Sequence, residues 1–161
     1  MKYSLLAILF TMSAALNSAS SGEKRYGQMT GHNTIENNNN ENTMSNKIII
    51  KVNSETFTAT LLDNNSVKAF KAMLPVTFNM AELNGNEKYF DLPKNLPTTS
   101  SNPGTIQNGD LMLYGSNTLV LFYKTFSTSY SYTKIGKIDN VAGLAAAVGS
   151  GNVAVSFELS E

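Results

Sequence analysis

From Lys47 onward, apolar and polar positions alternate in short runs whose period changes several times along the chain. Ile48, Ile50 and Val52 alternate with Ile49 and Lys51, and a polar turn at Asn53-Ser54-Glu55 leads into a second β-branched run over residues 56–62. That is the pattern of a hairpin. The period then lengthens: Val67, Phe70, Met73 and Leu74 fall on one face of a short helix. Ser66 is its expected cap, and Pro75 closes it because proline cannot continue the hydrogen-bonded ladder. Residues 76–80 and 87–92 read as strands, and Asn84-Gly85 between them tolerates the positive φ of a tight hairpin turn.

Residues 110–114 and 118–124 form the most apolar hairpin, turning at Gly115-Ser116-Asn117, and residues 130–138 give a further strand. Asp139 or Asn140 is placed to cap a small-residue helix that runs to Val148 and is ended by Gly149. Val153, Val155 and Phe157 alternate in a last strand over residues 152–157. Eight short strands and two short helices predict a mainly β domain over residues 47–161. Closure into an eight-stranded barrel is the favoured arrangement, because side chains just fill such an interior and no strand edge is left unpaired. The two helices then cover the open ends. Residues 93–109, with three prolines and little periodicity, make a connection long enough to be either a binding loop or a stiffened crossover.

The residues before Lys47 follow other rules. Met1-Lys2 is followed by an apolar run over residues 3–15 and by small residues at Ser18, Ala19, Ser20 and Ser21, so residues 1–21 read as a signal peptide. The run is shorter than the ~20 residues needed to cross a bilayer, and cleavage is expected to leave no membrane anchor. Residues 22–46, with their asparagine run, carry too little apolar surface to fold and read as a flexible tether. The expected location is secreted or periplasmic. With no cysteine, an exported domain of this kind is held by its core alone.

Charge and chemistry narrow the function. The chain has 12 basic and 12 acidic residues and no basic stripe, which gives a nucleic-acid partner no electrostatic support. The one histidine, His32, and the one arginine, Arg25, both lie in the tether, so residues 47–161 can build neither a Ser–His couple nor a histidine metal site. No cofactor is implied by any motif. Ser–Lys chemistry would need a geometry that sequence does not show, and the carboxylate pairs Asp91 with Asp110 and Glu82 with Glu87 read as solvated charges at turn ends. The strongest lead is residues 124–132, where Phe126, Tyr130 and Tyr132 alternate with hydroxyls beside Lys124. Stacking faces and hydrogen-bond donors in one place suit a peptide, a sugar or an aromatic ligand. The same alternation also fits a strand that turns Tyr130 and Tyr132 inward and the serines to water.

The run Asn102-Pro103-Gly104-Thr105-Ile106-Gln107-Asn108-Gly109-Asp110-Leu111-Met112-Leu113-Tyr114 resembles a segment of the small prokaryotic cyclophilin-like proteins. So do Leu119-Val120-Leu121-Phe122-Tyr123-Lys124-Thr125 and Ile135-Gly136-Lys137-Ile138. The resemblance covers essentially all of residues 47–161 and implies the cyclophilin-like barrel. True cyclophilins are peptidyl-prolyl isomerases whose site depends on an arginine. Residues 47–161 contain none, and lysine does not reproduce its planar set of donors. The reading is therefore a non-enzymatic module that binds a peptide or small molecule on a concave surface lined by Tyr114, Phe126, Tyr130 and Tyr132, with Lys124 as polar anchor. A weak peptidyl-prolyl isomerase is the alternative.

Overall fold

The computed structural model of the chain describes residues 46–161. The expected signal peptide and nearly all of the expected tether lie outside the described residues. Ten strands and two helices follow in order: β1 (Lys47–Val52), β2 (Glu55–Leu61), α1 (Asn65–Lys71), β3 (Val76–Leu83), β4 (Glu87–Asp91), β5 (Thr105–Ile106), β6 (Asp110–Tyr114), β7 (Thr118–Phe122), β8 (Phe126–Ser127), β9 (Thr133–Ile138), α2 (Leu144–Val148) and β10 (Val153–Leu159). Eight of the strands close a barrel in the order β1-β10-β3-β4-β7-β6-β9-β2, antiparallel throughout. The two extra strands, β5 and β8, form a separate ribbon.

Alternation sends one face of each strand into the barrel. Ile48, Ile50, Phe57, Leu111, Leu121 and Phe157 are among the buried residues of its core. Phe78 stacks on Phe90 with centroids 4.4 Å apart, and Phe70 of α1 meets Phe157 edge-on at 5.7 Å. Because β2 and β9 are antiparallel, α1 after β2 and α2 after β9 lie at opposite ends of the barrel. Each closes its end with buried apolar side chains, Val67 and Phe70 from α1 and Leu144 and Val148 from α2.

Local chemistry departs from the sequence reading in several places. Asn64, not Ser66, caps α1: its Oδ1 accepts from the Val67 N–H at 2.9 Å, while buried Ser66 donates to the Pro97 carbonyl at 2.5 Å. Neither Asp139 nor Asn140 caps α2. Asn140 instead accepts from the Ala142 N–H at 3.0 Å in a side-chain turn, and the helix starts after Gly143 at a φ of 82°. The expected strand over 130–138 begins only at Thr133. The hairpin turn at Asn84-Gly85 forms as expected, with φ of 56° and 67°.

The long connection after β4 is pinned to the barrel, with Leu92 and Leu96 buried in the barrel core. The Leu92 N–H donates to Asn117, Leu96 to Ser116 and Thr99 to the Thr133 hydroxyl. Ser101 and Tyr132 then exchange two backbone hydrogen bonds of 3.0 Å. Under this cover lies a second core: Ile106, Met112, Val120, Phe122 and Tyr132, with Tyr89 and Phe126 packed against it. Every side chain of β6 from Asp110 to Leu113 is buried, which explains why this hairpin is the most apolar part of the sequence.

Candidate functional site

The outer face of β4 and β7 is only partly covered by the second core, and the rest is an open cleft of about 440 Å³. A volume of that order suits a small ligand. Its floor comes from alternation along β4. Lys88 and Phe90 turn inward, so Glu87, Tyr89 and Asp91 line the cleft together, opposite Val120 and Thr118 of β7. Tyr114 from the end of β6, with Tyr130 and Tyr132 from the segment before β9, completes it. Four of the five tyrosines in residues 46–161 therefore share one cleft.

The three upper tyrosines support each other. Tyr114 meets Tyr130 edge-on at 6.1 Å and Tyr132 at a tilt at 5.6 Å, and Tyr132 packs edge-on against buried Phe122 at 5.6 Å. Tyr132 is held by its exchange with Ser101, whereas Tyr130 is 62% exposed. Burial, then the negative charge of Glu87, pushes the Tyr132 hydroxyl above its usual pKa. The Glu87 carboxyl is half-buried and has no hydrogen-bond partner among the described residues. Desolvation, then repulsion from Glu82, raises its pKa. Asp91 is exposed and accepts from the Thr118 hydroxyl at 2.6 Å.

The five residues expected at the site are divided by the fold. Tyr114, Tyr130 and Tyr132 come together as described. Phe126, on β8, is half-buried against Phe122 at 5.7 Å and supports the cleft from beneath without lining it. Lys124 is exposed with its ammonium 5.9 Å from the Tyr123 ring, and it lines a separate depression beside α2 with Glu82 and Tyr123. The expected polar anchor is thus absent from the tyrosine cleft, and carboxylates take its place. Glu87, Tyr89 and Asp91 were not among the residues expected there. The signal was available in their alternation, acid, aromatic, acid on one face of a strand. The proline-rich segment does not line the cleft either; it contributes by fixing Tyr132.

The depression beside α2 carries most of the remaining polar chemistry. Lys88, fully buried, pairs with Glu82 and donates to the carbonyls of Gly149 at 2.9 Å and Gly151 at 2.6 Å. Tyr123 donates to the Glu82 carboxylate at 2.9 Å. Desolvation pushes Glu82 up, but the bonds from Lys88, Tyr123 and the Gly85 N–H together bring it below its usual value. Burial, then its bond to Glu82, drives Tyr123 up to about 12. All three ammonium donors of Lys88 are used, so this network fastens the loop after α2 to the barrel.

Asp110 does not approach Asp91 as a catalytic partner: its Oδ2 accepts from the Gln107 N–H at 2.8 Å and closes the turn into β6. Among the described residues no group of three or more His, Asp or Glu side chains is placed to hold a metal ion.

Comparison with known proteins agrees with this architecture. A model described as the cyclophilin-like family matches residues 50–158. The solution structure of a hypothetical protein from Archaeoglobus fulgidus superposes with a TM-score of 0.52 at 19% identity, covering 75% of this chain and 99% of that one. At that identity the likeness speaks for the fold alone. No curated protein matches the chain in sequence.

Proposed function

The chain belongs to the cyclophilin-like family, and from that premise we propose that its barrel is a ligand-binding module that acts without catalysis, in a secreted or periplasmic protein. The observation that carries the reading is the cleft itself: four tyrosines gathered around Glu87 and Asp91 on the outer wall of the barrel. Tyrosine faces and edges provide large, stiff contact area with a polar tip, which is how small ligands and peptide side chains are commonly held. The two carboxylates do not form an acid–base pair. They stand four residues apart on one strand, which separates their backbone positions by roughly 13 Å, beyond the spacing of paired catalytic carboxyls. Membership of the family carries a fold and not an activity, and residues 46–161 contain no arginine to polarise a prolyl amide. Export is supported by the charged, apolar and small-residue order of residues 1–21.

The chain contains no tryptophan, so its emission comes from its seven tyrosines, four of which line the cleft. Titrating the full chain with short peptides, sugars and small amines is expected to change that emission for at least one class, and Tyr130→Ala is expected to remove the response. Emission indifferent to every class, with wild type and Tyr130→Ala alike, would count against the reading.

A further inference from the structure

The cleft has a chemical polarity that its tyrosines alone do not give. Two carboxylates line it and no cationic side chain does, although residues 46–161 as a whole are balanced at nine lysines and nine acids. Lys88, the lysine nearest in sequence, faces the opposite side of β4 and is fully engaged by Glu82, Gly149 and Gly151. Lys124 lies on the other depression. Among the described residues Glu87 has no hydrogen-bond or ion-pair partner, and the Thr118 hydroxyl accounts for only one oxygen of Asp91. The order along the floor is carboxylate, tyrosine, carboxylate, with the ends roughly 13 Å apart along the strand. A half-buried carboxylate without a partner is costly, and a cation bound beside it removes that cost.

We propose that the cleft binds a linear aliphatic polyamine, a chain of methylenes carrying ammonium groups near both ends. This rests on the reading of the cleft as a ligand site and names the ligand's class. One terminal ammonium pairs with Glu87 and the other with Asp91. The chain between them crosses the Tyr89 ring, with Tyr114, Tyr130 and Tyr132 as the facing wall. Tyrosine faces attract ammonium groups and cover methylenes equally well, so one wall serves both parts of the ligand. A single ammonium would satisfy one carboxylate and leave the other in place, which sets a preference for at least two charges.

The test is calorimetric titration of the full chain with spermidine and with butylamine, repeated on Glu87→Gln, Asp91→Asn and, as a surface control, Glu55→Gln. Spermidine is expected to bind at least tenfold more tightly than butylamine. Glu87→Gln should weaken it about tenfold and the exposed Asp91→Asn about threefold, while Glu55→Gln leaves it unchanged. Equal affinity for the two amines, or an equal loss in all three variants, overturns the proposal, because either marks diffuse attraction to surface acids. Failure to bind spermidine while a sugar or peptide still changes the tyrosine emission overturns the polyamine and leaves the ligand site standing. If spermidine, sugars and peptides all leave that emission unchanged, both fall.

Discussion

The rings of Tyr114 and Tyr132 lie 5.6 Å apart across the rim of the cleft, yet Tyr114 is 46% exposed and Tyr132 only 7%. One ring is therefore part of the second core and the other part of the surface, so substitutions at buried and exposed tyrosines of the cleft should separate stability from binding.

Tyr132→Ala removes a buried ring that packs on Phe122 and is expected to destabilise the fold by about 3 kcal/mol. Tyr130→Ala, at a far more exposed position, should stay within about 0.5 kcal/mol of wild type while losing ligand response. Urea unfolding followed by far-ultraviolet circular dichroism distinguishes the two, and equal destabilisation would mean that Tyr130 belongs to the core.

Lys88 makes a different kind of contribution. Replacing it by methionine leaves Glu82 without its cation and the Gly149 and Gly151 carbonyls without their donor. Lys88→Met is expected to lower stability by about 2 kcal/mol, since the part-buried Glu82 carboxylate and two carbonyls then lose their donor. Adding Glu82→Gln should recover part of that loss, because the remaining amide is neutral and its oxygen still accepts from Tyr123. Denaturant midpoints of the single and double variants measure it; an additive double loss would contradict the assignment of a coupled pair.

Tyr123 sets an alkaline limit. Its folded-state pKa is raised from 10.0 to about 12, so between those values the folded protein keeps a proton that the unfolded chain releases. The associated stability is present below pH 10 and is lost as pH rises toward 12. Stability of the wild type should fall across that window, and Tyr123→Phe should flatten the fall. A phenolate titration by ultraviolet absorbance should show Tyr123 and Tyr132 ionising above the other tyrosines, and Tyr123→Phe should remove one of those two late steps.

Much of the barrel was legible because a half-buried strand writes its geometry into the sequence with period two. Ile48, Ile50 and Val52, or Val153, Val155 and Phe157, announce both a strand and its inner face. The site was less legible, for three local reasons. Tyr130 and Tyr132 share parity but not a strand: the bridge of Tyr132 to Ser101 takes it into the second core, and no sequence period encodes that long-range pairing. Lys124 is adjacent in sequence to the aromatic segment, but the chain leaves β7 beside it and sends its ammonium toward Tyr123. In β4 one of the two inward residues, Lys88, is a lysine, so only Phe90 carries the usual apolar mark of the inner face. Glu87, Tyr89 and Asp91 then look like ordinary exposed positions until the fold sets them opposite the other tyrosines.

The tyrosine cleft is expected to bind its ligand without turnover. Two-dimensional exchange NMR of the isotope-labelled full chain with an Ala-Pro peptide and with spermidine tests both halves at once. The prediction is prolyl exchange no faster than in the free peptide, together with spermidine-induced shifts confined to residues 87–91, 114 and 130–132. Accelerated prolyl exchange, or shifts centred on Tyr123 and α2 instead, would contradict it.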